Sequence, residues 1–178
     1  EIVYYPDDLG EIDVDRKIPL GRKNPESVAV ILGIENYDDP NYPKLNYSDR
    51  DKSVVRRYFN EAFGLSDFQI LPSKEWQMDG GPTFEDLNST FDPHQGDLRR
   101  RIISSEKYSD IEEMDIFIYY RGYGEWRSGK PLLIPRDAQS DRDISKYPLE
   151  NMIKSLVRLS VLKNIRTITI FLDITYTN

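Results

Sequence analysis

The sequence predicts an α/β protein, built as a three-layer αβα sandwich around a mostly parallel sheet. Runs of β-branched and aromatic residues, typical of strands buried on both faces, occur at residues 28–34, 114–121 and 165–173. Segments with the apolar spacing of helices separate these runs, which is the order expected for parallel strands joined by helical crossovers. At 178 residues the chain is long enough for one domain with a core, and too short to expect two.

The predicted elements follow one another with short connections. Residues 1–24 hold prolines, glycines and many acids and are expected to form an extended leader, which leaves residues 25–178 as the domain. The elements predicted after the leader are a strand at 28–34, a loop at 35–47, a helix from about 48 to 63, a strand at 68–71, short helices at 83–90 and 97–104, a strand at 114–121, a ribbon at 129–136, a helix at 147–162 and a strand at 165–173.

Capping residues and glycines set the expected helix boundaries. Ser48 or Asp49 is expected to cap the first helix, because a short polar side chain can accept a hydrogen bond from an unpaired N–H group of the first turn. Gly64 suits the left-handed conformation at which helices commonly end. Thr83, followed three residues later by Asp86, predicts a capping box at the start of the second helix.

The last helix and the last strand predict a surface that needs covering. Pro148 suits the first turn of a helix. The side chains that the apolar spacing then predicts to be buried are Leu149, Met152, Ile153, Leu156 and Val157. The strand at 165–173 is as apolar as a central strand, and it lies close to the end of the sequence. We therefore expect the domain to be incomplete, with a further segment or a second polypeptide supplying another strand.

Composition limits the classes of partner and chemistry. The net charge of −7 argues against a nucleic-acid surface, because phosphate contacts need clustered Lys and Arg. No apolar run approaches the ~20 residues of a membrane helix. The sequence has no Cys and a single His, His94, so we expect neither a cofactor nor a metal site, and the compartment stays undetermined. Residues 137–143 superficially resemble a calcium loop, but the required Gly and closing Glu are missing.

The candidate site lies where the two most apolar strands are expected to end. Each strand is followed by small and polar residues, and parallel neighbouring strands would bring these side by side at their carboxyl ends. Ligands of open α/β sheets bind at this edge. We predict the site there, with Gly122, Gly124 and Tyr176 in its loops.

Four stretches of the sequence carry a resemblance to a known family. They are VAVILGIENY at 28–37, DRDKSVVRRYFNEAFGL at 49–65, DIFIYYRGYGE at 115–125 and TITIFLDITYTN at 167–178. In this order and spacing, the chain from about residue 13 onward resembles the caspase and metacaspase superfamily of cysteine peptidases, most closely its bacterial caspase-like members. The resemblance implies a caspase-like fold and a bacterial origin.

The catalytic dyad of that family is replaced in this chain. In the family, one strand ends in Ser-Gly-His-Gly, whose His is the general base, and another ends in Asp-x-Cys-x-Ser-Gly, whose Cys is the nucleophile. Tyr123 stands at the position of the His, and Thr175 at that of the Cys. A phenol, with a pKa of ~10, is a poor base for activating a Thr hydroxyl near neutral pH. The resemblance therefore implies a vestigial site without peptidase activity, in which both side chains fill space.

The specificity pocket of the family predicts a second change. In metacaspase-like members that prefer basic residues, the pocket is lined by two Asp residues, which match Asp51 and Asp173. Arg121 replaces the Ser that stands two places before the His. We expect the Arg121 guanidinium to bond both carboxylates and to fill this vestigial substrate pocket. The alternatives are that Arg121 is an exposed strand end and that Asp173 bonds the backbone of its loop.

The leading hypothesis is a catalytically inactive caspase-like domain, a pseudopeptidase, that acts by binding a protein. Its partner would be an active homologue, a second copy of the chain or the missing carboxy-terminal part of the domain. Two alternatives stay open. One is a residual or partner-completed peptidase with specificity for basic residues, and the other is a module that senses a basic peptide without cutting it.

Overall fold

The structure, a computed structural model, describes residues 18, 23–24, 27–72, 80–107, 113–162 and 165–177. The strands in these ranges are β1 (Val28–Gly33), β2 (Ile70–Leu71), β3 (Met114–Arg127), β4 (Lys130–Leu133), β5 (Tyr147–Pro148) and β6 (Ile165–Tyr176). The helices are α1 (Ser48–Glu61), α2 (Phe84–Phe91), α3 (Asp97–Lys107) and α4 (Leu149–Leu159). None of these helices is long and apolar enough to cross a membrane. The predicted leader at 1–24 lies outside the described residues, except for residues 18, 23 and 24.

The sheet is mostly parallel and is centred on β3. β2, β1, β3 and β6 lie side by side in that order and run parallel. Gly124 of β3 pairs with Tyr176 of β6 and with Leu133 of β4, so β4 lies on the same edge of β3 as β1, beyond the end of β1. β4 and β5 continue this edge as an antiparallel ribbon. The predicted α/β class with a mostly parallel sheet is confirmed.

Helices cover both faces of the sheet. On one face, Phe59 of α1 packs against Ala29, Ile31 and Phe117. On the other face, alternate residues of β1 and β3 pack against α2, α3 and α4. The buried side chains of this larger core include Val28, Val30, Leu32, Ile116, Ile118, Tyr120, Leu87, Phe91, Leu98, Ile102, Met152 and Leu156. The alternation follows from the period of two along a strand, which sends successive side chains to opposite faces.

β3 and β6 both run further than the sequence predicts. Gly122, Gly124 and Tyr176 lie within these strands and not in loops, so that part of the site prediction is wrong. The parallel register continues through the pairs Gly122 with Ile174 and Gly124 with Tyr176. Glycine is a local signal for a break, but hydrogen bonding to β6 on one edge and to β4 on the other keeps the backbone of β3 extended.

The helix boundaries show which capping signals hold. Thr83 and Asp86 form the predicted capping box of α2, in which Asp86 N donates to Thr83 Oγ1 at 3.1 Å. Gly64 has a φ of +75°, as expected for a residue that follows a helix. The predicted cap of α1 is wrong, because Tyr47 precedes the helix in a left-handed conformation and Ser48 lies in its first turn. The Ser48 hydroxyl is buried against Gly33. It does not accept a hydrogen bond from the first N–H groups of the helix.

The sheet-facing side of α4 is narrower than predicted. Met152 and Leu156 are buried as the apolar spacing indicates, and Leu149 is partly buried. Ile153 and Val157 are 44% and 60% exposed, so the prediction that they are buried is wrong. α4 contacts α2, β4 and β5, and no described element covers the flank that carries these two side chains.

Candidate functional site

The carboxyl ends of three parallel strands bring the predicted site residues together. Gly33 of β1 pairs with Arg121 of β3, and Arg121 pairs with Asp173 of β6. Asp51 comes from the first turn of α1, which covers this face of the sheet. Asp51, Arg121 and Asp173 border a crevice of about 430 Å³. Its lining residues are Tyr47, Arg50, Asp51, Val54, Val55, Tyr119, Arg121 and Asp173.

The Arg121 guanidinium lies between two carboxylates in this crevice. Its Nη1 donates a hydrogen bond to Asp173 Oδ2, and its Nε lies 2.8 Å from Asp51 Oδ2. The second contact is an ion pair without hydrogen-bond geometry, because the buried Nε has no hydrogen-bond partner. Nη2 reaches the Asn46 carbonyl oxygen at 3.5 Å. The Arg121 side chain is 18% exposed, so the crevice and not bulk solvent surrounds it.

Tyr119 shares the face of β3 that carries Arg121, since the two residues are two positions apart. Burial raises the pKa of Tyr119 to about 12, and the nearby carboxylates of Asp173 and Asp51 add to this effect. Its phenol therefore stays protonated at neutral pH. It supplies a neutral aromatic wall to the crevice and not a base.

Tyr123, at the predicted dyad position, is packed in an aromatic cluster. Its ring centroid lies 5.2 Å from that of Tyr37 and 6.1 Å from that of Tyr42. The Tyr123 backbone N–H donates to the Tyr37 hydroxyl at 2.8 Å. Burial raises the pKa of Tyr37, so this hydroxyl also stays protonated. The Tyr123 side chain thus fills space in the cluster, which Ile134 and Ala138 complete.

Thr175 is the direct neighbour of Tyr123. The two residues are register partners on adjacent parallel strands, and Thr175 is exposed at the surface. His94, the one histidine of the sequence, lies exposed in the turn between α2 and α3 and not at a strand end. Since parallel register partners point to the same face, the two predicted dyad positions adjoin one another.

Gly122 and Gly124 are required by close packing. A Cβ at Gly122 would lie 2.6 Å from the Tyr120 hydroxyl, and one at Gly124 would lie 2.5 Å from Ile174 Cγ2. The Tyr120 hydroxyl donates to the Ile134 carbonyl oxygen at 3.1 Å and is fully buried. The glycines therefore let the core and β6 approach the β3 backbone.

The acidic loop at 137–143 has structural contacts. Asp137 Oδ1 accepts a hydrogen bond from Phe84 N at 2.8 Å and so fixes the start of α2. Asp39, from the loop after β1, accepts one from Ser140 N at 2.6 Å and joins the two loops. Within the described ranges, no group of three or more His, Asp or Glu side chains is placed to hold a metal ion.

Sequence reasoning missed two tyrosines that pack against Tyr123. Tyr37 and Tyr42 lie in the Asn-, Asp- and Pro-rich segment at 35–47, which predicts a loop and says little about its packing. Their aromatic character was the available signal, because two large rings in a polar loop need a surface to cover.

Sequence reasoning also missed a larger cleft of about 830 Å³ beside α1, which Lys52, Arg56 and Pro72 help to line. That cleft contains none of the predicted site residues.

Comparisons with known proteins give no family assignment. A scan against protein-family models finds no match for this chain, and a search among curated proteins finds no similar sequence.

Proposed function

We propose that this chain is a caspase-like domain that no longer cuts peptides and that acts by binding another protein. The observation that carries the proposal is the position of Arg121, whose guanidinium lies between Asp51 and Asp173 in the crevice. In the family that the sequence resembles, matching carboxylates receive the basic side chain of a substrate. In the crevice, the protein's own Arg121 pairs with both Asp51 and Asp173, so neither of these two carboxylates is left unpaired to attract a ligand.

The chemistry at the strand ends supports the same proposal. Attack on a peptide carbonyl needs a nucleophile that is activated near neutral pH, and a Thr hydroxyl needs a strong base beside it. The residue beside Thr175 is Tyr123, whose phenol is a poor base and is packed among Tyr37 and Tyr42. The sequence contains no Cys that could serve instead.

Exposed apolar side chains support the protein-binding part of the proposal. Phe171 and Leu172 of β6 are 48% and 40% exposed. Because successive strand residues point to opposite faces of the sheet, each face of β6 carries one exposed apolar side chain for a partner to cover.

Peptide hydrolysis tests the loss of activity. We expect the purified chain to release no product from reporter peptides with Arg, Lys or Asp before the scissile bond. The matched variants are Thr175→Ala and Thr169→Ala, which lie on the same strand and the same face. Turnover that Thr175→Ala abolishes and Thr169→Ala retains would overturn the proposal in favour of a residual peptidase.

A further inference from the structure

The larger cleft beside α1 is separate from the crevice that holds Arg121. Asp51 and Val54 of α1 line the crevice, whereas Lys52 and Arg56 of the same helix line the cleft. The carboxyl end of β1, at residues 31–33, also lines the cleft. Its volume of about 830 Å³ is within the range of small-molecule sites, about 300–1,000 Å³.

The lining that α1 does not supply is short and mostly apolar. Among the described residues it includes residues 80–82 and Pro72. Gly81 has a φ of +109°, and a Cβ there would lie 2.8 Å from the Gly33 carbonyl oxygen. Only a glycine therefore lets this segment lie against the end of β1. With no long side chain among these residues, the cleft has room for the apolar part of a ligand.

The side of α1 that faces the cleft carries three cations. Lys52, Arg56 and Arg57 lie within about 7.5 Å along the helix axis. The Lys52 and Arg56 side chains are 24% and 17% exposed, whereas the two lining acids, Asp49 and Glu61, are 61% and 53% exposed. Because water screens exposed carboxylates more than it screens half-buried cations, positive charge prevails inside the cleft.

Arg56 is the cation with the poorest pairing. Its Nη2 donates to the Pro72 carbonyl oxygen, but its buried Nη1 has no hydrogen-bond partner. Nη1 lies 3.7 Å from Asp67 Oδ1, which is beyond hydrogen-bond range. Burial lowers the pKa of Arg56, and Asp67 offsets only part of that effect. A partly buried guanidinium in this state is stabilised by an added anion.

We propose that the cleft binds a small organic phosphate, with its phosphate groups against Lys52, Arg56 and Arg57 and its apolar part against residues 31–33 and Pro72. Arginine and lysine are the side chains that most often bind phosphate, and three of them in a row suit a chain of two or more phosphate groups. The inference goes beyond the proposed function, and it holds whether or not the chain cuts peptides.

The existing ion pairs of the cleft leave its cations accessible. Lys52 Nζ lies 2.6 Å from Asp49 and Arg57 Nε lies 3.9 Å from Glu61, and both carboxylates are more than half exposed. Exposed pairs of this kind contribute little to stability. A phosphate chain, which carries several negative charges, can therefore replace or share these partners.

Calorimetric titration of the full chain measures the binding. The ligands are pyrophosphate, which presents only the phosphate groups, and ADP, which adds an organic part, both without divalent metal. We expect saturable binding of both, tighter for ADP, and weaker binding in high salt. The absence of saturable binding would overturn the inference, and ADP binding more weakly than pyrophosphate would overturn the assignment of an organic ligand.

Variants and amide chemical shifts locate the site. Lys52→Gln and Arg57→Gln should each raise the dissociation constant for ADP at least about fivefold. Arg50→Gln is the matched control, because it removes the same charge from the same helix on the side that lines the crevice, and it should change the affinity little. Circular dichroism checks that each variant is folded.

The amides of Gly33 and Gly81 should shift on binding, and that of Asp173 should not. The inference is overturned if neither cleft variant weakens binding, if Arg50→Gln weakens it equally, or if the shifts fall at Asp173 and not at the two glycines.

Discussion

The two ends of the β3–β6 pair carry ion clusters of opposite design. At the amino end the acid is on β3, where Asp115 accepts hydrogen bonds from Arg166 and Thr167 of β6 and from Asn24. The Asp115 side chain is 8% exposed. This cluster lies where the strands begin, and it ties β3, β6 and Asn24, four residues before β1, together.

At the carboxyl end the arrangement is reversed. Here the positively charged residue is on β3, where Arg121 meets Asp173 of β6 and Asp51 of α1. The Asp173 side chain is 50% exposed, and the cluster borders an open crevice. Because exposed ion pairs contribute little and buried hydrogen-bonded ones are costly to break, we expect the amino-end cluster to hold the sheet and the carboxyl-end cluster to occupy a site.

The largest expected effect comes from removing the buried acid. Asp115→Ala leaves Arg166, Thr167 and Asn24 without their common acceptor, and it should lower the free energy of unfolding by about 2–3 kcal/mol. Denaturant unfolding followed by circular dichroism measures the change. Glu113→Ala is the matched control, because Glu113 contacts the same Arg166 but is exposed. Equal losses for the two variants would contradict the structural role of the amino-end cluster.

The same acid predicts a dependence on pH. Burial alone would raise the pKa of Asp115, but hydrogen bonds from Arg166, Thr167 and Asn24 outweigh it and hold the pKa below 3.8. A lowered pKa in the folded state gives stability that is present above the unfolded value and is lost as the pH falls through the folded value. Below about pH 4, the free energy of unfolding should therefore fall more steeply for the wild type than for Asp115→Asn. If the free energies of unfolding of wild type and Asp115→Asn changed with pH in the same way, protonation of Asp115 would not be linked to folding.

The aromatic side of the carboxyl end should show an intermediate effect. Tyr37→Phe removes the hydroxyl that accepts the Tyr123 N–H, and a buried N–H without a partner should cost about 1–2 kcal/mol of the free energy of unfolding. Tyr47→Phe is the control, since Tyr47 is exposed and should change little. A loss for Tyr37→Phe no larger than that of the control would mean that the cluster does not depend on this hydrogen bond.

The smallest effect on stability is expected at Arg121. Arg121→Ala should lower the free energy of unfolding by no more than about 1 kcal/mol, because both carboxylate partners are partly exposed. The difference between wild type and variant should shrink in high salt, which screens exposed charges. Thermal unfolding at low and high ionic strength measures both. A loss as large as that of Asp115→Ala would erase the contrast between the two ends.

Local patterns predict much of the sheet. The apolar runs at 28–34 and 114–121 locate β1 and the first part of β3, and Thr83 with Asp86 locates the start of α2. The meeting of Arg121 with Asp51 and Asp173 was expected from the family resemblance, which supplied the match for Asp51, and not from local patterns. The strands and the capping box depend on residues that are near in sequence.

The features that the sequence does not predict depend on distant partners. Gly122 and Gly124 resemble a break until β4 and β6 are placed on either side of β3. Ile153 and Val157 fit the apolar stripe of a buried helix. Only the position of α4 on the sheet shows that the flank of α4 that carries them is exposed. Tyr37 enters the aromatic cluster from a polar loop, in which its large ring is the one local signal that the loop packs against a surface.

The occupied crevice is the central claim, and ligand binding tests it most directly. We would titrate an N-acetylated arginine amide into the wild type and into Arg121→Ala, following chemical shifts by NMR. The wild type should bind weakly or not at all, and Arg121→Ala should bind at least about tenfold more tightly, because the vacated carboxylates can hold a guanidinium. Adding Asp51→Asn to that variant should remove the gain. Equal affinities in the wild type and Arg121→Ala, or a gain that survives Asp51→Asn, would contradict the account.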